Sequence, residues 1–494
     1  MIKNKAIEVI RTFSEPELKE FYLFLDSPYF NSNKSLTKLF GEIKKALAAE
    51  KAEILTEEFL YGKIFKGKKY NYGIMKNLMS ELFKQAEKFL VINLNNNTIK
   101  ETGQRLLLLE ELERRGLDDN FRNIFVKIKD QIKAGKINSS YYQNLGRLYE
   151  TAKDYHRNRS NINEYSLNVL NVVEYTFPQI ISMLADEYAL QYTAEHSTNH
   201  KPETDLLKEF FTSINIEDFT KVVESSSIKN KEDILIRLHF MVLLTGSSDE
   251  VYYKLRDVVF KNTELYSNQM LYTIMNNYLL LYAEKRASEG SGEFFTEKYN
   301  LLKKMFTLVK MNKDGVGHIF LSTYLDTVLS GIKLGETDYV SGFAEEYRKD
   351  VDPSVRDVAY RLARAYIFAA EKNYEASLKE LARTGQADFH IKLRTKFLYL
   401  RCCYELNLFE QGFSMIDSFK KFLADTKELH PDFRIKLNDS CKTYYELFRI
   451  SSSPERYDAE KLDKQIAFVK ASGINSKEWY LGKLEELKKQ YLKI

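Results

Sequence analysis

Tyr339, Tyr374 and Phe409 follow one another at intervals of 35 residues, and each precedes a small residue by three positions: Gly342, Ser377 and Gly412. A ring at such a position fills the wedge where two antiparallel helices turn back on each other. A small side chain one turn later lets the two backbones approach. One helix pair cannot bury its apolar face alone, so the copies must stack and share a core. The spacing predicts helical hairpins piled in register near the C-terminus. A chain of 494 residues also exceeds what one compact core usually supports, which favours an elongated stack.

Upstream of this period the chain still reads as helix. Seven prolines and 20 glycines leave few breakers, and apolar residues recur at three- and four-residue intervals almost throughout. Ser14 and Glu17 have capping-box spacing ahead of Leu18, Phe21, Tyr22 and Leu25. Ser27-Pro28 ends that helix, and an aromatic corner leads to a second one through Leu36, Leu39, Phe40 and Ile43. Thr56 is placed to cap a short helix. Lys63, Lys66, Lys68 and Lys69 follow it in a loop beside Tyr61 and Tyr70. A long amphipathic helix then runs from Asn71 to the asparagines 95–97. The polar stretch from His156 to Asn163 sets a soft boundary, and Pro178 is expected to separate two helices. Ser247 and Glu250 have the spacing of a second capping box. Gly290-Ser291-Gly292 reads as the turn of a helical hairpin.

The best-formed unit of the repeated part runs from Leu362 through Ala365 and Phe368 to Tyr374, Ser377 and Leu381. It resembles a tetratricopeptide repeat, in which a small residue and an aromatic mark the first helix, and an aromatic, a small and a large apolar residue mark the second. The following unit supplies Leu400, Cys403, Phe409, Gly412 and Ile416. The preceding one offers Ser330, Lys333, Tyr339, Gly342 and Glu346. The resemblance covers residues 320–423 and implies an all-α, right-handed helical-repeat solenoid of antiparallel helix pairs. Four segments are expected: an N-terminal helical domain (1–158), irregular helical pairs (159–314), the repeats (315–430) and capping helices (431–494).

Charge and motif content narrow the function. The 74 basic and 70 acidic residues nearly balance, which argues against binding driven by a strong overall field. Cys402, Cys403 and Cys441 make neither a disulfide framework nor a metal spacing, so a cytoplasmic location is expected. The opening 15 residues carry Lys3, Lys5, Glu8 and Arg11 where a signal peptide needs an apolar run. His196 and His200 are four apart, but Glu195 precedes the first instead of following it, and Pro202 interrupts the segment, so no metal site is expected. Gly315-Val316-Gly317 lacks the third glycine of a dinucleotide loop. The adjacent Cys402 and Cys403 suit a helix seam better than redox chemistry. No cofactor and no catalytic residue follow from the sequence.

The remaining candidate is a surface. Arg394 and Arg401 are two helical turns apart and should share a face with Phe397 and Tyr404, the face that lines the concave groove in the repeats this segment resembles. With Tyr366 of the preceding unit they form a candidate groove for an acidic or C-terminal peptide. The carboxylate clamp known in that family is not expected, because Leu362, Tyr366 and Ala369 stand where its polar residues would be. The sequence therefore predicts a non-enzymatic scaffold or adaptor with a protein or peptide partner. A regulatory nucleic-acid binder using the N-terminal helices and Lys63, Lys66, Lys68 and Lys69 ranks second, and no membrane partner is expected.

Overall fold

The computed structural model describes residues 4–48, 56–97, 101–197, 205–246, 248–313, 316–384, 389–426, 431–453, 459–474 and 477–491. Among these residues every extended element is a helix, and two isolated bridges, Ile137 with Tyr266 and Ile319 with Val351, are the only strand-like pairings. The chain divides into two compact units, one of residues 1–134 and 147–169, the other of residues 135–146 and 170–494.

In the first unit, α1 (Lys5–Ile10), α2 (Glu15–Asp26), α3 (Lys34–Ala48), α4 (Glu57–Ile64) and α5 (Tyr72–Asn97) share one core. The capping box at α2 forms: the Glu17 N–H donates to Ser14 Oγ at 3.4 Å, and the Ser14 N–H donates to the Glu17 carboxylate at 2.7 Å. Thr56 caps α4 in the same way, accepting from the Phe59 N–H at 3.2 Å. Phe21 is the hub, with ring centroids 4.9 Å from Phe40, 5.1 Å from Phe89 and 5.4 Å from Phe13. Next come α6 (Glu101–Arg114), α7 (Asp118–Ala134) and the latter part of α8 (Tyr141–Arg157). Phe121 and Tyr155 stack at 3.9 Å, and the Arg159 guanidinium covers Tyr155 while pairing with Asp118. The polar stretch from His156 thus becomes a pinned turn, with Ser160 at φ 54°.

Pro178 does not separate two helices. A single helix, α9 (Ile162–Ser197), runs through it. The proline removes one helical hydrogen bond, at a cost of about 3 kcal/mol. Tyr175 before it and Ala185, Tyr188 and Ala189 after it are buried, and each large apolar side chain so buried returns about 1.5–3 kcal/mol. Packing on both sides of the proline therefore keeps the helix whole.

The second unit continues with α10 (Leu206–Ser213), α11 (Ile216–Ser225), α12 (Lys231–Thr245) and α13 (Asp249–Lys261). Ser248 caps α13, accepting from the Val251 N–H, so the cap lies one residue beyond Ser247, which is outside the described residues. α12 is the most enclosed helix, buried at every residue from Asp233 to Leu243. α14 (Asn268–Ile274) passes without a break into a π-helical turn, Met275–Leu280, and then into α15 (Leu281–Ser288). Ser291 caps α16 (Gly292–Leu308) after a turn with Gly290 at φ 99°.

Beyond it lie α17 (Leu321–Lys333), α18 (Thr337–Tyr347), α19 (Arg356–Ala370), α20 (Tyr374–Leu381), α21 (Phe389–Glu405) and α22 (Phe409–Asp425), each packed on the next. α19 also touches α17 and α21, so alternate helices form a layer. α23 (Pro431–Ser452), α24 (Ala459–Ala471) and α25 (Lys477–Tyr491) close the C-terminal core.

Two of the three small residues of the 35-residue period sit at close helix contacts. Ser377 is fully buried and donates to the Ala365 carbonyl at 2.8 Å, and a Cβ on Gly412 would come within 2.4 Å of the Phe448 ring. Gly342 departs from the pattern. It is exposed with no atom near its Cβ direction, and Tyr339 is 42 % exposed. α18 buries Val340, Phe343 and Ala344 instead, one position along, and Gly331 of α17 provides the close approach, against Val340 and Tyr299. Glu346 is exposed as well.

Candidate functional site

Of the groove residues expected on α21, most are drawn into packing. Phe397 meets Phe419 edge to face at 4.9 Å, and its carbonyl accepts from the Tyr444 hydroxyl at 3.2 Å. Tyr404 accepts from Ser451 Oγ at 3.0 Å and lies against Trp479 and Phe448. Arg401 stands 5.5 Å from the Trp479 ring, its Nε buried without a hydrogen-bond partner. Trp479 itself is fixed by donating to Glu405 at 3.0 Å, and Lys483 pairs with the same carboxylate at 3.0 Å. The terminal helix α25 thus occupies the space in front of Arg401. This cover could not be read from α21 alone, because it depends on where a helix 74 residues away returns.

Arg394 and Tyr366 are brought together elsewhere. The Tyr366 hydroxyl lies 3.5 Å from the Arg394 carbonyl, and the Arg394 guanidinium reaches Asp326 of α17 at 3.2 Å. Asp326 lines an open trough of about 730 Å³ in the second unit. α14, the π-turn, α15, α16, the 316–320 segment and α17 form its walls, with Thr193 of α9 at one side.

The π-turn explains the trough's lining. It inserts one residue into a helical turn, which shifts the register of the side chains that follow; such turns recur at functional sites. Asn276 and Asn277 therefore line the trough while Tyr278 is fully buried. Asn276 Nδ2 donates to Asn277 Oδ1 at 2.9 Å, which leaves the Asn277 amide N–H₂ and the Asn276 oxygen unengaged by protein. Thr273, Ser322 and Thr323 add hydroxyls, and Leu280, Leu302 and Val316 add apolar wall. The Tyr272 hydroxyl is enclosed and makes no hydrogen bond. Burial pushes it up to about 12; the Thr323 hydroxyl tempers that rise without meeting hydrogen-bond geometry.

The trough's charges alternate. Glu284 pairs with Lys298, Lys298 lies 3.7 Å from Asp326, and Asp326 meets Arg394. Lys298 is only 12 % exposed, so these pairs hold a nearly desolvated cation in place. Behind the π-turn, the Tyr278 hydroxyl bridges Asp186 and Arg237, and Arg237 lies 3.4 Å from Asp233, which accepts from the Tyr142 hydroxyl at 3.0 Å. The trough and this buried network share the π-turn as a wall. The adjacent asparagines in an otherwise apolar helix were the sequence signal for the trough.

The other sequence candidates lie apart. Lys63 lies on the last turn of α4 and not in the loop after it, exposed over Phe59, while Lys66, Lys68 and Lys69 are exposed around Gly67, with Lys68 over Phe65. Cys402, Cys403 and Cys441 are free and buried, and burial raises Cys403 to about 11 and Cys441 to about 12, far from a thiolate at neutral pH. His200 and Pro202 fall outside the described residues, as does Gly315. No described helix is long and apolar enough to cross a membrane.

One further surface stands out. Within the second unit, α9 presents Leu170, Val173, Phe177, Ile180 and Met183 at spacings of three and four, between 39 % and 68 % exposed. No protein-family model matches the chain, and no curated protein matches it.

Proposed function

We propose that the chain is a helical-repeat scaffold or adaptor, without catalytic activity of its own, that binds a protein partner in the cytoplasm. Its repeated part is read as a right-handed solenoid of tetratricopeptide-like pairs. The observation that carries this reading is the apolar stripe on α9. Five large side chains on one helical face, all substantially exposed, form a patch of a kind that soluble proteins rarely leave uncovered. The stripe follows the i, i+3, i+7 spacing by which one helix receives another.

The groove expected at Tyr366, Arg394, Phe397, Arg401 and Tyr404 is replaced by this face as the primary contact, since the rings there already pack against α22, α23 and α25. A photoreactive residue placed at Val173 in the full chain, and irradiated in the native cell, should give one discrete adduct. Adding Ile180→Glu should abolish it. An adduct pattern no different from that of an exposed control position, Lys464, would sink the reading.

A further inference from the structure

We infer that the trough beside the π-turn is a second, separate site, which takes an extended, uncharged polypeptide segment through its main chain. Three observations converge. First, the groups offered are carboxamides and hydroxyls. Asn276 and Asn277 together present an acceptor and a donor that no protein group uses, and Gln269, two helical turns earlier, adds a third carboxamide to the same wall. A carboxamide carries the same donor and acceptor as a peptide unit, so it can pair with one main-chain group of each kind.

Second, the charges cannot serve as a clamp. Glu284, Lys298, Asp326 and Arg394 alternate in sign, sum to zero, and are each engaged with a neighbour. An acidic ligand would have to take Lys298 from Glu284, and a basic one would have to take a carboxylate from Lys298 or Arg394. The second exchange leaves Lys298, only 12 % exposed, poorly solvated, and an acidic ligand would meet the repulsion of Glu284 and Asp326, which flank Lys298. An uncharged ligand is thus proposed beside Arg394 in place of the acidic or C-terminal peptide expected from the sequence.

Third, the dimensions and walls suit a short segment. The volume of about 730 Å³ falls within the roughly 300–1,000 Å³ of ligand-binding recesses. Leu280, Leu302 and Val316 give apolar contact for small side chains between the polar points. The enclosed, unpartnered Tyr272 hydroxyl marks a wall whose polar groups are not satisfied from within the protein.

The test starts from a random twelve-residue peptide library selected on the full chain, followed by fluorescence anisotropy with the synthetic winners. The expected winners carry no net charge. Their affinity changes less than twofold between 50 and 500 mM NaCl, falls at least tenfold in Asn277→Leu, and falls similarly when single peptide bonds of the ligand are N-methylated. Gln269→Leu, on regular helix outside the π-turn, gives the same loss should Asn277→Leu alter the melting temperature. Enrichment of charged peptides with salt-sensitive binding overturns the inference, as does binding that ignores both variants, or no enrichment at all. None of these residues lies on the exposed α9 stripe, so failure here leaves the adaptor test standing, and failure there leaves this one.

Discussion

At the scale of single residues, two glycines that look alike in the 35-residue period have opposite fates. A Cβ at Gly412 would stand 2.4 Å from Phe448, whereas one at Gly342 meets nothing. Gly412→Ala should therefore destabilise by about 1–3 kcal/mol through forced repacking. Gly342→Ala, in an exposed helix interior, should stabilise by roughly 0.5–1 kcal/mol. Urea midpoints of the two variants measured side by side give the sign of each. The spacing made Gly412 and Ser377 legible because their aromatics and their small residues share one seam. It misled at Gly342, where the helix buries the next register position and the close approach passes to Gly331, which carries no mark in the repeat.

His239 shows a second residue-scale consequence. It is buried on α12, near Glu224 at 3.7 Å, with Lys254 adding repulsion, and burial holds its pKa below the usual value. The unfolded chain then takes up a proton before the folded one does. Stability is complete above the unfolded value of about 6.5 and declines as pH falls from there toward the depressed folded value. Thermal melts from pH 7.5 to 5 should show that slope, and His239→Gln should flatten it. An unchanged slope in the variant would assign the acid sensitivity to other groups.

At the scale of elements, α12 and the π-turn were the least legible parts. A helix buried all round gives no amphipathic period, and nothing in the sequence around Arg237 marks it as buried. In the structure Arg237 is 1 % exposed and touches Asp233, Asp186 and Tyr278. Arg237→Leu would strand the equally buried Asp233, a change that costs about 3–5 kcal/mol. Arg237→Leu combined with Asp233→Leu should recover a large part of that loss, since the stranded charge is gone. Chemical denaturation of the three proteins tests the pair. If the double variant is no better than the single one, packing rather than charge holds α12.

At the scale of the whole chain, the helical class and the N-terminal caps follow from local rules, because capping and periodicity act within a few residues. Which surfaces stay open does not, because it depends on returns such as that of α25 onto Arg401. The same global view bears on solution behaviour. With 74 basic and 70 acidic residues and an isoelectric point near 8.5, the chain carries little net repulsion in mildly alkaline buffer. The exposed α9 stripe is then free to meet any apolar surface, another copy included. Polyethylene-glycol precipitation across pH 6 to 10 should show a solubility minimum close to 8.5 that is deep in the native chain. Val173→Glu with Ile180→Glu should make it shallower by more than does Lys45→Gln with Lys464→Gln, which lowers the net charge by the same two units at exposed positions elsewhere. Equal effects from the two pairs would mean that net charge alone governs solubility and that the stripe does not drive association.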